Sequence, residues 1–124
     1  MLRGRSPRLR PFVQSAKSKG AGVTAMIVLI NLREGVIPED YERWVLESYA
    51  PAARELPSVG EWRDYRASGL LGSDAAPPYR YVVTLEVRDL EQLGRDMEGE
   101  EMQRLLCRLH KLAEVTQIMA VRFA

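Results

Sequence analysis

TAMIVLINL, residues 24–32, is the stretch that decides the fold class of this chain. The run is almost continuously apolar, without the polar alternation of a strand that has one face in water. It therefore predicts a β-strand that is buried on both faces. Asn31 is its one polar interruption, and a buried amide must be hydrogen-bonded. We expect Asn31 either at the end of the strand ladder or as a polar contact in a cavity.

The segment that follows has the pattern of an amphipathic helix over about residues 38–55. Pro38 suits the first helical turn, where no backbone donor is needed, and Glu39 and Asp40 suit its positive end. Pro51 removes one backbone donor and is expected to bend the last turn, and Leu56-Pro57 ends the helix. One apolar stripe recurs at three- and four-residue spacing: Tyr41, Trp44, Val45, Tyr49 and Ala52.

The rest of the chain predicts three more strands and further helix. These elements are a strand at 58–67, a loop at 68–78, a strand at 79–87, a short helix at 90–97, a helix at 100–113 and a strand at 115–123. The order β-α-β-β-α-β is typical of the α+β ferredoxin-like fold, a four-stranded antiparallel sheet with two helices on one face. The loop at 68–78 is longer than a tight hairpin needs, which favours a flap over a cavity or, alternatively, an unstructured tip.

The predicted sheet has a second apolar face that the two helices do not cover. The first and fourth strands are apolar on both sides, and a monomer rarely exposes so large an apolar patch. Twofold pairing of two sheets into a barrel would bury it. We therefore expect a homodimer.

Charge divides the chain into a basic leader, residues 1–24, and a domain, residues 25–124. The leader has six of the 18 basic residues and no acidic residue, so the remaining 12 basic and 17 acidic residues give the domain a charge of −5. The leader is poor in large apolar residues and is expected to be disordered. Its alternatives are an organellar transit peptide, an arm for nucleic acid or anionic membranes, or an upstream segment before a true start at Met26.

Several classes of protein are disfavoured by what the sequence lacks. The single cysteine, Cys107, excludes an internal disulfide and a cysteine-rich metal cluster, and it fits a cytoplasmic protein. No run is long enough for a membrane span. No glycine-rich phosphate loop or nucleophile-elbow motif is present. We expect no metal, no cofactor, no membrane and no nucleic acid partner.

Six stretches of the domain carry a resemblance to a known family: MIVLINLREGV, EDYERWV, APAARELPSV, WRDYRA, PYRYVVTLEVRDLEQLG and EEMQRLLCRL. In their order and spacing, over about residues 26–124, they resemble the REDY-like (HapK) family of the dimeric α/β-barrel superfamily, which also includes EthD-like proteins. The resemblance implies a small cofactor-independent protein that holds an aromatic or polyketide-like molecule between sheet and helices. EthD-like members often have a histidine just before this joint, where this chain has Tyr49.

The candidate site residues are aromatic and polar side chains of the predicted helix and strands. A phenol can donate to an enolate oxygen in a dry pocket, which makes Tyr49, Tyr65 and Tyr81 candidate catalytic residues. The candidate substrate-binding residues are Trp44, Trp62, Asn31 and Arg66. The alternative for each tyrosine and tryptophan is ordinary core packing. His110, the one histidine, is expected near a helix end, with general-base chemistry as its alternative role.

These residues lead to an expected function in secondary or degradative metabolism. The chain would act without a cofactor on an aromatic or polyketide-like intermediate, by proton transfer, condensation or cyclisation. The alternatives are a non-catalytic binding protein for such an intermediate and a cofactor-free monooxygenase.

Overall fold

A computed structural model of the chain describes residues 24–124. The strands are β1 (Thr24–Leu32), β2 (Val59–Arg66), β3 (Tyr81–Val87) and β4 (Ala113–Val121), and the helices are α1 (Pro38–Trp44), α2 (Ala50–Arg54), α3 (Leu90–Met97) and α4 (Glu100–Leu112). The predictions about the basic leader lie outside the described residues, except that Thr24 already belongs to β1.

The four strands form one antiparallel sheet in the order β2-β3-β1-β4. The helices between them lie on a single face, and residues of α1, α3 and α4 share one core with β1 and β3. This confirms the predicted ferredoxin-like α+β fold. Within residues 24–124, no helix has the length and apolar character that a membrane span requires.

The predicted first helix is interrupted by a π-helical turn, Val45–Tyr49, between α1 and α2. In this turn the amide of Ala50 donates to the carbonyl of Val45, five residues back. Pro51 follows directly and has no amide to donate, and its ring would crowd the carbonyl four residues back in a regular helix. The sequence predicted a bend at Pro51, whereas the structure has the irregularity one turn earlier. Such π-helical turns frequently accompany functional sites.

Two strands begin two residues away from their predicted starts. β3 begins at Tyr81 rather than at residue 79, because Asn31 accepts from the amide of Arg80 and fixes the chain just before the strand. β4 begins at Ala113, directly after α4, because fully buried Ala113 already has an extended backbone. No linker therefore separates the last helix from the last strand.

The sheet has two faces of different character. The core face is buried under the helices and includes Val28, Ile30, Val83 and Leu85. The open face carries no helix, and its apolar side chains follow from the register between strands: Ala25, Ile27, Leu29, Val82, Ile118 and Ala120. Ile118 on this face is 43% exposed.

A register shift in β2 turns its middle residues toward the core. Gly60 pairs with Glu86 and Arg63 pairs with Thr84, so β2 has one residue more than β3 over this interval. An extra residue of this kind bends the strand and redirects its side chains. Trp62 is consequently buried, and Asp64, opposite Val83, lies on the core face.

Ile30 is a stringent test of this core because it is 1% exposed and lies at the centre of the sheet. Ile30→Ala should lower the free energy of unfolding by about 2–5 kcal/mol, through lost burial and the cavity left behind. Urea denaturation measures the change. Leu46→Ala is the control, since Leu46 is 72% exposed and its truncation should change stability by less than about 0.5 kcal/mol. Equal losses in the two variants would contradict the core described here.

Candidate functional site

A cavity of about 240 Å³ lies between the core face of the sheet and the helices. We call it the central cavity. Its walls are mainly aliphatic, and its polar groups are the Tyr49 phenol, the His110 imidazole and the Gln117 amide. The lining residues are Met26, Val28, Ile30, Tyr49, Trp62, Val83, Leu85, Met97, Leu106, Leu109, His110 and Gln117. Ligand sites commonly combine an apolar surface with a few polar groups in this way.

An aromatic cluster packs beside the central cavity. The Trp44 and Tyr49 rings are stacked with centroids 5.3 Å apart, and Tyr49 meets the edge of Trp62 at 5.5 Å. Tyr41 packs against Tyr81 at 4.9 Å and against Trp44 at 6.2 Å. Trp44 thus lies behind Tyr49, whereas Tyr49 and Trp62 reach the cavity wall.

The Tyr49 phenol is the most distinctive polar group of the central cavity. Tyr49 is only 6% exposed, and its hydroxyl makes no hydrogen bond to any residue of 24–124 in this structure. Burial, with a further contribution from the Asp64 carboxylate, raises the pKa of Tyr49 to about 12. The phenol therefore stays protonated at neutral pH and is available as a hydrogen-bond or proton donor.

Asp64 lies next to the cluster and was not among the sequence-predicted site residues. Its Oδ2 accepts a hydrogen bond of 2.7 Å from the Trp62 indole Nε1. The residue is exposed at the protein surface, but its carboxyl group is crowded by neighbours. Desolvation raises the pKa of Asp64, and the Trp62 hydrogen bond and the Arg54 guanidinium only partly oppose this. The negative charge of Asp64 is therefore offset less completely than the charge of a carboxylate in an ion pair.

Two predicted site residues, Tyr81 and Arg66, meet at Glu42 of α1. Arg66 donates to the Glu42 carboxylate from Nε and Nη2, both at 2.7 Å, and the Tyr81 hydroxyl donates to it at 2.8 Å. The hydrogen bonds from Arg66 and then from Tyr81 lower the pKa of Glu42 to about 2. Burial and the Glu42 contact raise the pKa of Tyr81. The Tyr81 proton is therefore already engaged within the protein.

Asn31 and Tyr65 lie away from the central cavity. Asn31 donates to the carbonyl of Pro78 at 2.8 Å and accepts from the amide of Arg80 at 2.9 Å, so it ties the long loop to the end of β1. Tyr65 pairs with Val82 on the open face and is 49% exposed. The predicted site residues therefore fall into separate groups. Tyr49 and Trp62 line the central cavity, with Trp44 stacked behind Tyr49. Tyr81 and Arg66 meet at Glu42, whereas Asn31 and Tyr65 lie apart from both groups.

Among the described residues, no group of three or more potential metal ligands lies together. His110 lines the central cavity from the last turn of α4 and is also exposed at the surface, as Cys107 is. Gln117 and Asp64 were missed from the sequence, although a signal existed for Asp64. In WRDYR it has the same strand parity as the buried Trp62 and therefore shares its face.

The fold and the central cavity define the class of protein: a small ferredoxin-like domain with a ligand-sized space between sheet and helices. The family model described as REDY-like protein HapK matches residues 24–122. The chain therefore belongs to the REDY-like HapK family, as the sequence resemblance predicted. The family lies in the dimeric α/β-barrel superfamily.

Solved structures agree with this assignment. HapK from Hahella chejuensis has a TM-score of 0.67 and 26% sequence identity, covering 82% of this chain and 93% of its own. An EthD family protein from Bacillus halodurans has a TM-score of 0.62 and 16% sequence identity, and the match covers 82% of this chain and 99% of that protein. SnoaB, a cofactor-independent oxygenase from Streptomyces nogalater, has a TM-score of 0.65 and 14% sequence identity, and the match covers 84% of this chain and 96% of SnoaB. A search of curated proteins found no match.

The three-donor contact at Glu42 generates an acid-stability prediction. Glu42→Gln should lower the free energy of unfolding at pH 7 by about 1 kcal/mol, since charged hydrogen bonds to Arg66 and Tyr81 are lost. The folded pKa is depressed, so this stabilisation is present above the ordinary glutamate pKa of 4.5 and is lost as pH falls toward about 2. Denaturation curves of wild type and variant should converge over that interval.

Glu47→Gln is the matched control for this series, because Glu47 is an exposed glutamate on the π-helical turn. Its denaturation curves should follow the wild type at both ends of the pH range. A Glu42→Gln difference that is independent of pH would contradict the ionised contact.

Proposed function

We propose that this protein is a cofactor-independent enzyme that promotes proton transfer in a small aromatic or polyketide-like molecule bound in the central cavity. Removal of a proton next to a carbonyl group would produce an enolate, and condensation or cyclisation of the bound molecule would proceed from that enolate. The single observation that carries the proposal is the protonated Tyr49 phenol, without a hydrogen-bond partner among residues 24–124, on the wall of an apolar cavity that His110 also lines.

The proposed chemistry uses Tyr49 and His110 as a donor and an acceptor. The His110 imidazole removes a proton from a carbon next to a carbonyl group, and the C–H electron pair moves into the carbonyl to form an enolate. The Tyr49 hydroxyl donates a hydrogen bond or its proton to the enolate oxygen. Aliphatic walls exclude water, which strengthens that interaction. Trp62 supplies a flat wall for an aromatic ring, and Trp44 holds the Tyr49 ring by stacking.

The size of the cavity restricts the substrate. Ligand pockets are usually about 300–1,000 Å³, so a volume of about 240 Å³ favours one or two fused rings. Membership of the HapK family and the fold shared with a cofactor-independent oxygenase support chemistry without a cofactor. Tyr81 and Arg66 act in this scheme through their contact with Glu42, beside the cavity rather than in it.

Tyr49→Phe tests the proposal with 2-tetralone, a bicyclic ketone whose C1 protons exchange with solvent through an enolate. In D2O, proton NMR should show that wild type accelerates the loss of the C1 signal. Removing the donor should reduce the acceleration about 100-fold, in keeping with the usual contribution of a general acid. Tyr79→Phe is the matched control, since Tyr79 lies outside the cavity on the loop before β3.

Unchanged exchange in Tyr49→Phe would remove Tyr49 from the mechanism. Saturable quenching of tryptophan fluorescence by 2-tetralone without accelerated exchange would instead support a binding protein without catalytic activity. Oxygen consumption with a dihydroxynaphthalene would support a monooxygenase.

We also propose that the open faces of two copies pair to form a homodimer. The apolar side chains at its centre, Ile27, Leu29, Val82 and Ile118, have no covering element within residues 24–124, and their burial would contribute about 25 cal/mol per Å². Twofold pairing covers two such patches at once.

Leu29→Asp tests the dimer, because Leu29 lies between Val82 and Thr116 in the middle of the open face. Light scattering should give the mass of two chains for wild type and of one chain for the variant. Leu46→Asp places the same charge on an exposed helical position and should remain dimeric. A single-chain mass for the wild type at micromolar concentration would overturn the proposal.

A further inference from the structure

A second cavity of about 280 Å³ lies on the other side of the aromatic cluster, between α1, the π-helical turn, α2 and the ends of β2 and β3. We call it the lateral cavity. Apolar side chains of Val45 and Ala50 form part of its wall, together with the ring of Tyr41. Its polar lining includes Glu42, Arg54 and Asp64. None of these six residues lines the central cavity.

Most of the polar groups around the lateral cavity satisfy one another. The Glu42 carboxylate accepts two hydrogen bonds from Arg66 and one from Tyr81. The Arg54 guanidinium donates from Nε and Nη2 to the carbonyl of Trp62, at 3.4 and 3.2 Å. The charge of Arg66 is thus paired with Glu42, whereas Arg54 uses two of its five N–H donors on a carbonyl.

Asp64 and Tyr41 of the lateral cavity keep hydrogen-bonding capacity that no residue of 24–124 uses. Asp64 accepts from Trp62 with Oδ2 only, and it forms no ion pair with any residue of this range. Tyr41 lines the same cavity, is 3% exposed, and has a hydroxyl without a hydrogen-bond partner among the described residues. No enclosed side-chain polar atom of the described residues lacks a partner, so the Tyr41 hydroxyl is accessible and can bond to a molecule in the cavity that Tyr41 lines.

We infer that the lateral cavity binds a small organic ammonium ion, with its N–H groups on Asp64 and Tyr41 and its apolar body on Val45 and Ala50. The ammonium group donates to the free Asp64 oxygen and to the Tyr41 oxygen. A charge-assisted hydrogen bond to a carboxylate is stronger than a neutral one, so an amine binds better than an alcohol of the same shape. Asp64 forms no ion pair with any residue of 24–124, and the nearby Arg54 guanidinium only partly opposes the desolvation of its carboxylate, so an anion beside Asp64 is repelled.

Benzylamine, an ammonium ion at neutral pH, tests this inference with the full-length chain. The chain has two tryptophans, so its indole N–H signals in a nitrogen–proton NMR spectrum can be assigned with Trp44→Phe. The Trp62 signal reports directly, since Nε1 bonds to Asp64. We expect a saturable shift of this signal with benzylamine, and binding weaker by about tenfold or more with benzyl alcohol.

Asp64→Asn keeps an acceptor for Trp62 but removes the charge, and it should weaken benzylamine binding by about tenfold or more. Tyr41→Phe should weaken it by a few fold, as the loss of one neutral hydrogen bond does. Asp40→Asn is the matched control and should bind as wild type does, because Asp40 is an exposed residue paired with Arg43.

The inference is overturned if the Trp62 signal does not move, if benzyl alcohol and benzylamine bind equally, or if Asp64→Asn binds benzylamine as wild type does. The last result would show that the charge of Asp64 does not hold the amine. A preserved spectrum of dispersed signals in Asp64→Asn confirms that the variant is folded. These outcomes are independent of the 2-tetralone exchange.

Discussion

The packing of one aromatic cluster between the first helical segment and the edge of the sheet is the interaction on which the rest of this structure depends. Tyr41 and Trp44 come from α1, Tyr49 from the π-helical turn, and Trp62 and Tyr81 from β2 and β3. These rings bury a large apolar surface and fix the helical segment on the sheet. They also separate the central cavity from the lateral cavity, so each cavity has an aromatic wall.

The sequence predicted the fold well because its strongest signals are periodic. TAMIVLINL is almost continuously apolar with Val28 and Ile30 buried in the core, and the Tyr41 to Tyr49 stripe faces the core, so the order of elements followed directly. The π-helical turn was not predicted, since a proline indicates only that a donor is missing and not where the helix adjusts. Even so, the unusual position of Tyr49 two residues before Pro51 marked the place where the helix departs from regular geometry.

The candidate site was only partly predictable, because it depends on which side chains meet across distant elements. Trp62 and Tyr49 were identified as aromatic residues on apolar faces, and both line the central cavity. Tyr81 and Arg66 were chosen for their chemistry. Their contact with Glu42, which is 39 and 24 residues away in sequence, gave no local signal. The extra residue in β2 likewise could not be seen in the sequence, and it is this residue that directs Trp62 and Asp64 toward the helices.

Asp64 links the two cavities electrostatically as well as spatially. Burial, followed by the Asp64 carboxylate, raises the pKa of both Tyr41 and Tyr49, so the two phenols stay neutral together. A cation beside Asp64 would offset the negative charge that both phenols experience and would lower both pKa values. The Tyr49 phenol would then be a stronger acid at the moment when the lateral cavity is filled. A ligand in one cavity can in this way alter the proton donor in the other without any movement of the backbone, because the coupling needs only charge at short range.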